Sequence, residues 1–384
     1  MLDVGASAAT PGGQELNLLV DIGGLGRGGA ERQVVQLTKA LKARGHGCLV
    51  AANYRVSGYE DDLTAAGIGV AWMNQKGAFD ATVLARLIGL VRVTQPDVCL
   101  CVGFSSTLWG RAAALLAGVP VVTAEHATPS TFPLERRLTN RLLGPRTKAV
   151  VACAREQVPS VVAAGNPVNK VRVIANGVNA DAYYYDSRGR DVVRRHFGIP
   201  ASAFVVGLVA GHRPVKRHDR FIRVMETLRA HDVDVWGCMV GGGELLDFNR
   251  GQAMASAVSS RVVVMGSRLD MRAVYSAMDV VVLVSDSETF PYCLLEAQAC
   301  ARPVVVMEAG GVGSTLVHGS TGFVVPQGDC DEMAATLKYL SDHPEVATSM
   351  GASARSWIAD SLSEDLMVDE YESLLLGVVE GRLK

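Results

Sequence analysis

Ser285-Asp286-Ser287-Glu288-Thr289-Phe290-Pro291-Tyr292-Cys293-Leu294-Leu295-Glu296 follows the apolar run Val280 to Val284 and sets two carboxylates eight residues apart. Eight residues exceed two helical turns only slightly, so on one helix both would share a face. A loop position for Glu288 and a helical one for Glu296 fits the stretch better, with a free helix N-terminus at Pro291 to Cys293. Carboxylates accept hydrogen bonds from sugar hydroxyls, and helix N-termini hold phosphate. Either glutamate alone reads as a solvated surface residue. The pair inside an apolar strand–helix unit points to a pocket.

A second stretch, Val20 to Gln33 (VDIGGLGRGGAERQ), contains Gly24-x-Gly26-x-x-Gly29, the spacing of a dinucleotide-binding loop. That reading needs an acid near the end of the second strand to hold a ribose. Here the second strand ends Val50-Ala51-Ala52-Asn53, and the next Asp or Glu is Glu60. The acid is missing, so the sequence argues against NAD. A tight turn explains two glycines but not five. What survives is a backbone that lets N–H groups approach an anion at a helix N-terminus.

These loops need strands to hold them. Short apolar runs predict strands at Asn17–Ile22, Cys48–Ala52, Val98–Val102, Val119–Ala124, Ala149–Ala154 and Val171–Ile174. A second series follows at Phe204–Val209, Val235–Val240, Val262–Met265, Val280–Val284, Pro303–Met307 and Gly322–Val325. Consecutive apolar residues suit strands buried on both faces of a parallel sheet. Helical patterns such as Ala30–Arg44 and Arg217–His231 lie between them, and a polar stretch from Asp181 to Pro200 separates the two series. The pattern predicts two doubly wound α/β domains, residues 1–180 and 181–361. Residues 362–384 form a last helix, expected to pack back on the first domain. Ligands of such folds bind outside the carboxyl ends of the strands, which predicts a cleft between the domains.

Composition agrees with a globular chain: 384 residues, 49% hydrophobic and 20% charged. The formal net charge of -2 argues against a bulk nucleic-acid partner. The eight cysteines form no C-x-x-C pair, and Cys99, Cys101 and Cys238 sit in strand-like runs, which suits core residues in a reduced, intracellular compartment. Met1 to Gln14 lacks the basic and apolar regions of a signal peptide. No apolar run reaches the roughly 18 residues that a membrane span needs. A cytoplasmic location follows as an expectation.

The Glu288–Glu296 stretch resembles the E-x7-E signature of the retaining glycosyltransferases of family 4, similar to those that build bacterial surface polysaccharides. GGAERQ is similar to that family's N-terminal loop, Pro120 to His126 to its histidine strand, and Val173 to Val178 to its interdomain segment. Met239 to Gly243 and Gly310-Gly311 through Thr321-Gly322 follow in the family's order. The resemblance implies the GT-B fold, two Rossmann-like domains facing across a cleft, the second binding a nucleotide diphosphate sugar. It implies that Glu296 accepts hydrogen bonds from the ribose and Glu288 contacts the sugar. Lys216 and Arg213 would neutralise the diphosphate, and His126 would lie beside the transferring sugar. Gly28 and Gly29 would approach the diphosphate, while Phe290, Cys293 and Leu294 complete the donor site. A UDP- or GDP-sugar donor is implied, with no cofactor and no required metal.

Several positions depart from the family's pattern. Gly211 stands five residues before Lys216 where arginine is usual, and Arg213 is only three before it. Thr289 and Ala301 replace common glycines, and Gly313-Ser314 replaces a common Pro-Glu. Asp232-Val233-Asp234 has metal-motif spacing but falls between a helix and a strand, where solvated polar residues are expected. His218 and His231 have no context that suggests chemistry. Leu134 to Lys148 carries Arg136, Arg137, Arg141, Arg146 and Lys148 among leucines. A solvated helix face is the plain reading; contact with an anionic membrane, bearing a polyprenyl-diphosphate-linked acceptor, is the sharper one. A nucleotide-sugar epimerase of related fold and a non-catalytic sugar-nucleotide-binding protein are the rival functions.

Overall fold

The computed structural model describes residues 15–77, 80–126 and 134–382. The N-terminal segment Met1 to Gln14 lies outside them. Contacts divide the chain into two units. One comprises residues 1–176 with 366–384, and the other 177–365.

The first unit holds a seven-stranded sheet in the order β3-β2-β1-β4-β5-β6-β7. Its strands are β1 (Asn17–Ile22), β2 (Gly47–Ala52), β3 (Gly69–Trp72), β4 (Val98–Val102), β5 (Val121–Glu125), β6 (Ala149–Ala152) and β7 (Val171–Val173). The second unit holds a six-stranded sheet, β10-β9-β8-β11-β12-β13. These are β8 (Phe204–Val209), β9 (Val235–Val240), β10 (Val262–Gly266), β11 (Val280–Leu283), β12 (Val304–Met307) and β13 (Gly322–Val325). All neighbouring strands run parallel.

Burial on both faces accounts for the apolar runs. Val280–Leu283 and Val304–Met307 are buried at every position. Along β1, Leu18, Val20 and Ile22 join one core and Leu19 joins the other, as period-two alternation requires. Met367, Val368, Tyr371, Leu375 and Val378, from the last helix (Glu364–Val379), complete the first of these cores. Glu372 of that helix pairs with Arg44 and His46.

Strand β3 is the element missing from the sequence-based series. It is a four-residue edge strand, exposed or half-buried throughout, so burial never imposed an apolar run on it. Strand β5 runs on through Glu125, which makes His126 the first residue beyond it. No helix among the described residues is long and apolar enough to cross a membrane.

Each sheet reverses its strand order once, at β1/β4 and at β8/β11. Loops at the carboxyl ends of strands flanking such a reversal diverge and leave a crevice, the usual ligand position in this architecture.

Candidate donor and histidine sites

In the second unit the loops after β8 and β11 meet. The backbone N–H of Asp286 donates to the Val215 carbonyl at 2.8 Å. Residues Pro214–Lys216 form one 3-10 turn, which Arg217 closes in the left-handed region (φ 50°) before the helix His218–Ala230. Lys216 Nζ then donates to Glu288 Oε1 at 2.6 Å. Glu288 is 8% exposed and stands in the loop before the helix Tyr292–Ala299, while Glu296 lies on that helix.

The loop glycines explain the tight fit around Glu288. Gly310 has φ +61°, and a Cβ there would collide with the Glu288 carbonyl. The adjacent Gly311 N–H donates to the same carbonyl at 3.2 Å. Gly241 has φ +143°, and its Cβ would strike the Ala210 carbonyl at the end of β8. The next residue, Gly242, accepts from the His212 N–H at 2.8 Å. The glycine-rich motifs therefore hold the backbone on which Lys216 and Glu288 are mounted.

Glu296 is 4% exposed and accepts from the Tyr275 hydroxyl at 2.5 Å. Phe290 is buried and Cys293 half-buried. Leu294 is fully buried in the core, because the helix turns that position inward, and its N–H donates to the Pro291 carbonyl at 3.2 Å. Arg213 is exposed and forms no ion pair with a described residue. The ion pairs beside Lys216 come instead from Arg217 and Arg220, both with Asp286.

His212 and His218, neither singled out for chemistry from sequence, stack with ring centroids 4.0 Å apart. His212 Nδ1 lies 2.9 Å from Asn249 Nδ2. Burial pushes the His218 imidazole down to about 4 and holds the His212 imidazole below its ordinary value. Asp232 and Asp234 are exposed, and Asp234 pairs with Arg261.

In the first unit the glycine loop is stitched to residues 54–59. Tyr54 N–H donates to Gly23 O, Leu25 N–H to Val56 O, and Tyr59 N–H to Leu25 O. Gly28 caps the helix Gly29–Ala43, and the Glu31 carboxylate lies against Gly28, where a Cβ would strike it. Gly29 is exposed. Gln33 is buried and donates to Asn176 Oδ1 at 3.0 Å, which joins two of the sequence motifs directly.

His126 is half-buried, and burial of its ring pushes its pKa down to about 4. Its Nδ1 lies 3.4 Å from Cys153 Sγ. The neighbouring Glu125 is buried and paired with Arg136, whose guanidinium also lies 5.5 Å from the Phe104 ring centroid. This corrects the reading of the basic segment. Arg136 is an interior residue holding β5, and only Arg137, Arg141 and Arg146 among its arginines are exposed. Spacing could not show this, because the pairing partner lies on a different element. Cys153, Gln157 and Tyr275 carried no sequence signal either, each being an ordinary residue made relevant by its neighbour.

Two family profiles match this chain: Glycosyltransferase Family 4 over residues 27–182 and Glycosyl transferases group 1 over residues 203–343. N-acetyl-alpha-D-glucosaminyl L-malate synthase of Bacillus anthracis is 22% identical, over 68% of this chain and 68% of its own length. The UDP-Gal:alpha-D-GlcNAc-diphosphoundecaprenol alpha-1,3-galactosyltransferase of Escherichia coli is 25% identical, over 79% of this chain and 81% of its own. Some further curated relatives are matched over about half of their length. Among solved structures, Anabaena Alr3699/HepE in complex with UDP-glucose superposes with a TM-score of 0.85 at 21% identity. That match covers 94% of this chain and 99% of the Anabaena chain.

Proposed function

Because the chain belongs to the family 4, group 1 glycosyltransferases and has their GT-B fold, we propose that it transfers a hexosyl unit from a nucleotide diphosphate sugar to an acceptor hydroxyl, with retention of anomeric configuration. The observation that carries this reading is the Lys216–Glu288 pair, drawn from loops 72 residues apart. An ammonium has three donors, so Lys216 can hold Glu288 and still offer N–H groups to a diphosphate. Glu288, fixed by that contact and by Gly310-Gly311, presents its second oxygen to a sugar hydroxyl. Glu296, oriented by Tyr275, is assigned to the ribose.

The reaction breaks the bond between the anomeric carbon and the diphosphate oxygen and forms one to the acceptor oxygen. The acceptor proton passes to the leaving phosphate. Negative charge grows on the diphosphate, and Lys216, Arg213 and the N-terminus of the helix Tyr292–Ala299 meet it. No metal is needed in this account. His126 is assigned a hydrogen bond to the transferring sugar, and Gly28 and Gly29 are assigned to the diphosphate. A UDP-sugar is favoured over a GDP-sugar by the UDP-glucose complex of the structural neighbour. The test is thermal shift with UDP, GDP and their sugars, followed by product analysis with and without acceptor in excess EDTA. A donor-dependent shift and a metal-independent α-linked product support the reading. Sugar epimerised without acceptor, or activity restored only by Mg²⁺ or Mn²⁺, overturns it.

The acceptor is proposed to sit on a polyprenyl diphosphate at an anionic membrane surface, and one helix supports this. Leu134–Leu143 is inside out: Arg136 and Asn140 are buried, while Leu134, Leu138 and Leu142 are 65%, 54% and 68% exposed. At about 100° per residue the three leucines and Arg137 and Arg141 share the outward face. Exposed leucines flanked by arginines suit insertion at an anionic interface. Sedimentation with anionic vesicles at low salt should be lost on Leu138→Ser with Leu142→Ser, and weakened by Arg137→Glu with Arg141→Glu. Wild-type protein that ignores such vesicles, with full activity on a small soluble acceptor, removes the membrane reading.

A further inference from the structure

His126 and Cys153 come from neighbouring strands of the first sheet, one just beyond β5 and the other just beyond β6. Cys153 Sγ lies 3.4 Å from His126 Nδ1 and 3.5 Å from the Glu125 carbonyl oxygen. The main chain that carries the sulfur is pinned. Cys153 is 1% exposed, its backbone N–H donates to Gln157 Oε1 at 2.8 Å, and Gln157 Nε2 donates to the Glu125 carbonyl at 2.9 Å. The carbonyl preceding His126 and the backbone of Cys153 are thus held by one side chain.

The thiol has one proton and two acceptors in reach. Glu125 O already accepts from Gln157, and an imidazole nitrogen is a stronger base than a carbonyl oxygen. Sulfur is a weak acceptor in return, so an N–H pointing at it gains little. Burial keeps the groups neutral: it pushes the Cys153 thiol up to about 12 and the His126 ring down to about 4. A neutral imidazole carries a single N–H, and whichever nitrogen accepts leaves the proton on the other.

We propose that Cys153 is a positioning residue whose S–H donates to His126 Nδ1, fixing the ring as the Nε2–H tautomer and making His126 a neutral hydrogen-bond donor rather than a base. The other side of the ring agrees. His126 Nε2 is buried and meets no hydrogen-bond partner among the described residues, so an N–H there is a donor aimed at an oxygen that a ligand would supply. That this oxygen belongs to the transferring sugar rests on the proposed function. The tautomer does not.

The experiment uses the full chain labelled with ¹⁵N-histidine, with the His126 ring resonances assigned by their loss in His126→Gln. Wild-type protein should show Nδ1 as the acceptor nitrogen and Nε2 as the protonated one. Cys153→Ser, which keeps a donor, should preserve that pattern. Cys153→Ala should move it toward Nδ1–H while the other histidine resonances stay in place. A protonated Nδ1 in the wild type, which needs no variant to observe, overturns the proposal. An unchanged His126 pattern in Cys153→Ala does the same. In turnover assays Cys153→Ala should lower kcat by about tenfold with donor KM within about twofold, and Cys153→Ser should recover most of it. A tautomer that moves without any change in turnover upholds Cys153 as the orienting group and counts against His126 acting on the sugar.

Discussion

At the reversal between β8 and β11 the second sheet carries Lys216 and Glu288 as an ion pair, with Lys216 side chain 21% exposed. At the reversal between β1 and β4 the first sheet carries Asp21, 2% exposed, beside Ser106 and Asn53. Burial raises the Asp21 carboxyl to about 8, partly offset by those two neighbours, so it is mostly protonated at neutral pH. The helix Phe104–Leu116 closes over it, and Gly110 has no side chain where the Asp21 carboxyl sits. One topology is thus used in two electrostatic ways. The second unit leaves a cation partly exposed, whereas the first seals a neutral acid into its interior. A crevice in the strand order permits a site; the side chains at its walls decide whether charge is offered there.

The sharpest way to break this comparison is Lys216→Ala. Removing the accessible cation should lower kcat/KM by about 10²–10³-fold, roughly 2.7–4 kcal/mol of transition-state stabilisation. Steady-state kinetics over a range of donor concentrations would measure it, and a loss below tenfold would take Lys216 out of the diphosphate site.

Gly310→Ala tests whether the backbone under Glu288 is as constrained as its geometry indicates. A side chain at φ +61° that also meets the Glu288 carbonyl should cost about 1–3 kcal/mol in stability. Donor KM should rise with it. Urea unfolding together with donor titration would separate strain from displacement, and unaltered values in both would show that the loop simply relaxes.

For the first unit the informative change is Asp21→Asn. The folded carboxyl binds its proton up to about pH 8, while the unfolded one releases it near its ordinary value of 3.8. Between those values the native state holds the extra proton, so stability falls as pH rises, by about 1.4 kcal/mol per pH unit, and levels off above about 8. Asp21→Asn, permanently neutral, should flatten that slope. Equal slopes for wild type and variant in urea melts between pH 5 and 8 would mean that Asp21 is not the linked group.

Asp286→Ala should have the smallest effect. Asp286 pairs with both Arg217 and Arg220 but its side chain is 44% exposed, and such surface pairs contribute only about 0.2–1 kcal/mol. The link between the two loops is the main-chain bond from Asp286 to Val215, which the substitution leaves intact. A chemical-denaturation shift larger than this range would show that solvent screens the pair less than its exposure implies.

Much of this architecture was legible in the residues. Five strands, Asn17–Ile22, Val98–Val102, Phe204–Val209, Val235–Val240 and Gly322–Val325, have the bounds that the apolar runs predicted. Parallel strands covered on both faces must be apolar at successive positions, and that constraint writes itself into sequence. Glu288 in a loop and Glu296 on the following helix were legible for a similar reason, since strand, loop and helix are local. Gly310-Gly311 was visible as a motif, although not the carbonyl it packs against.

What only the tertiary structure decided are pairings between elements distant in sequence. Arg136 has the same sequence context as its exposed neighbours Arg137 and Arg141, and only Glu125 beside it sets it apart. Cys153 reads as any small core residue apart from His126, and Asp21 is an ordinary strand-end acid until a helix 85 to 89 residues on, around Ser106 and Gly110, buries it. Periodicity reports which face of an element is buried, because burial acts on every residue of that face. It cannot report which single side chain waits on the opposing element, and protonation state and hydrogen-bond direction depend on that neighbour alone.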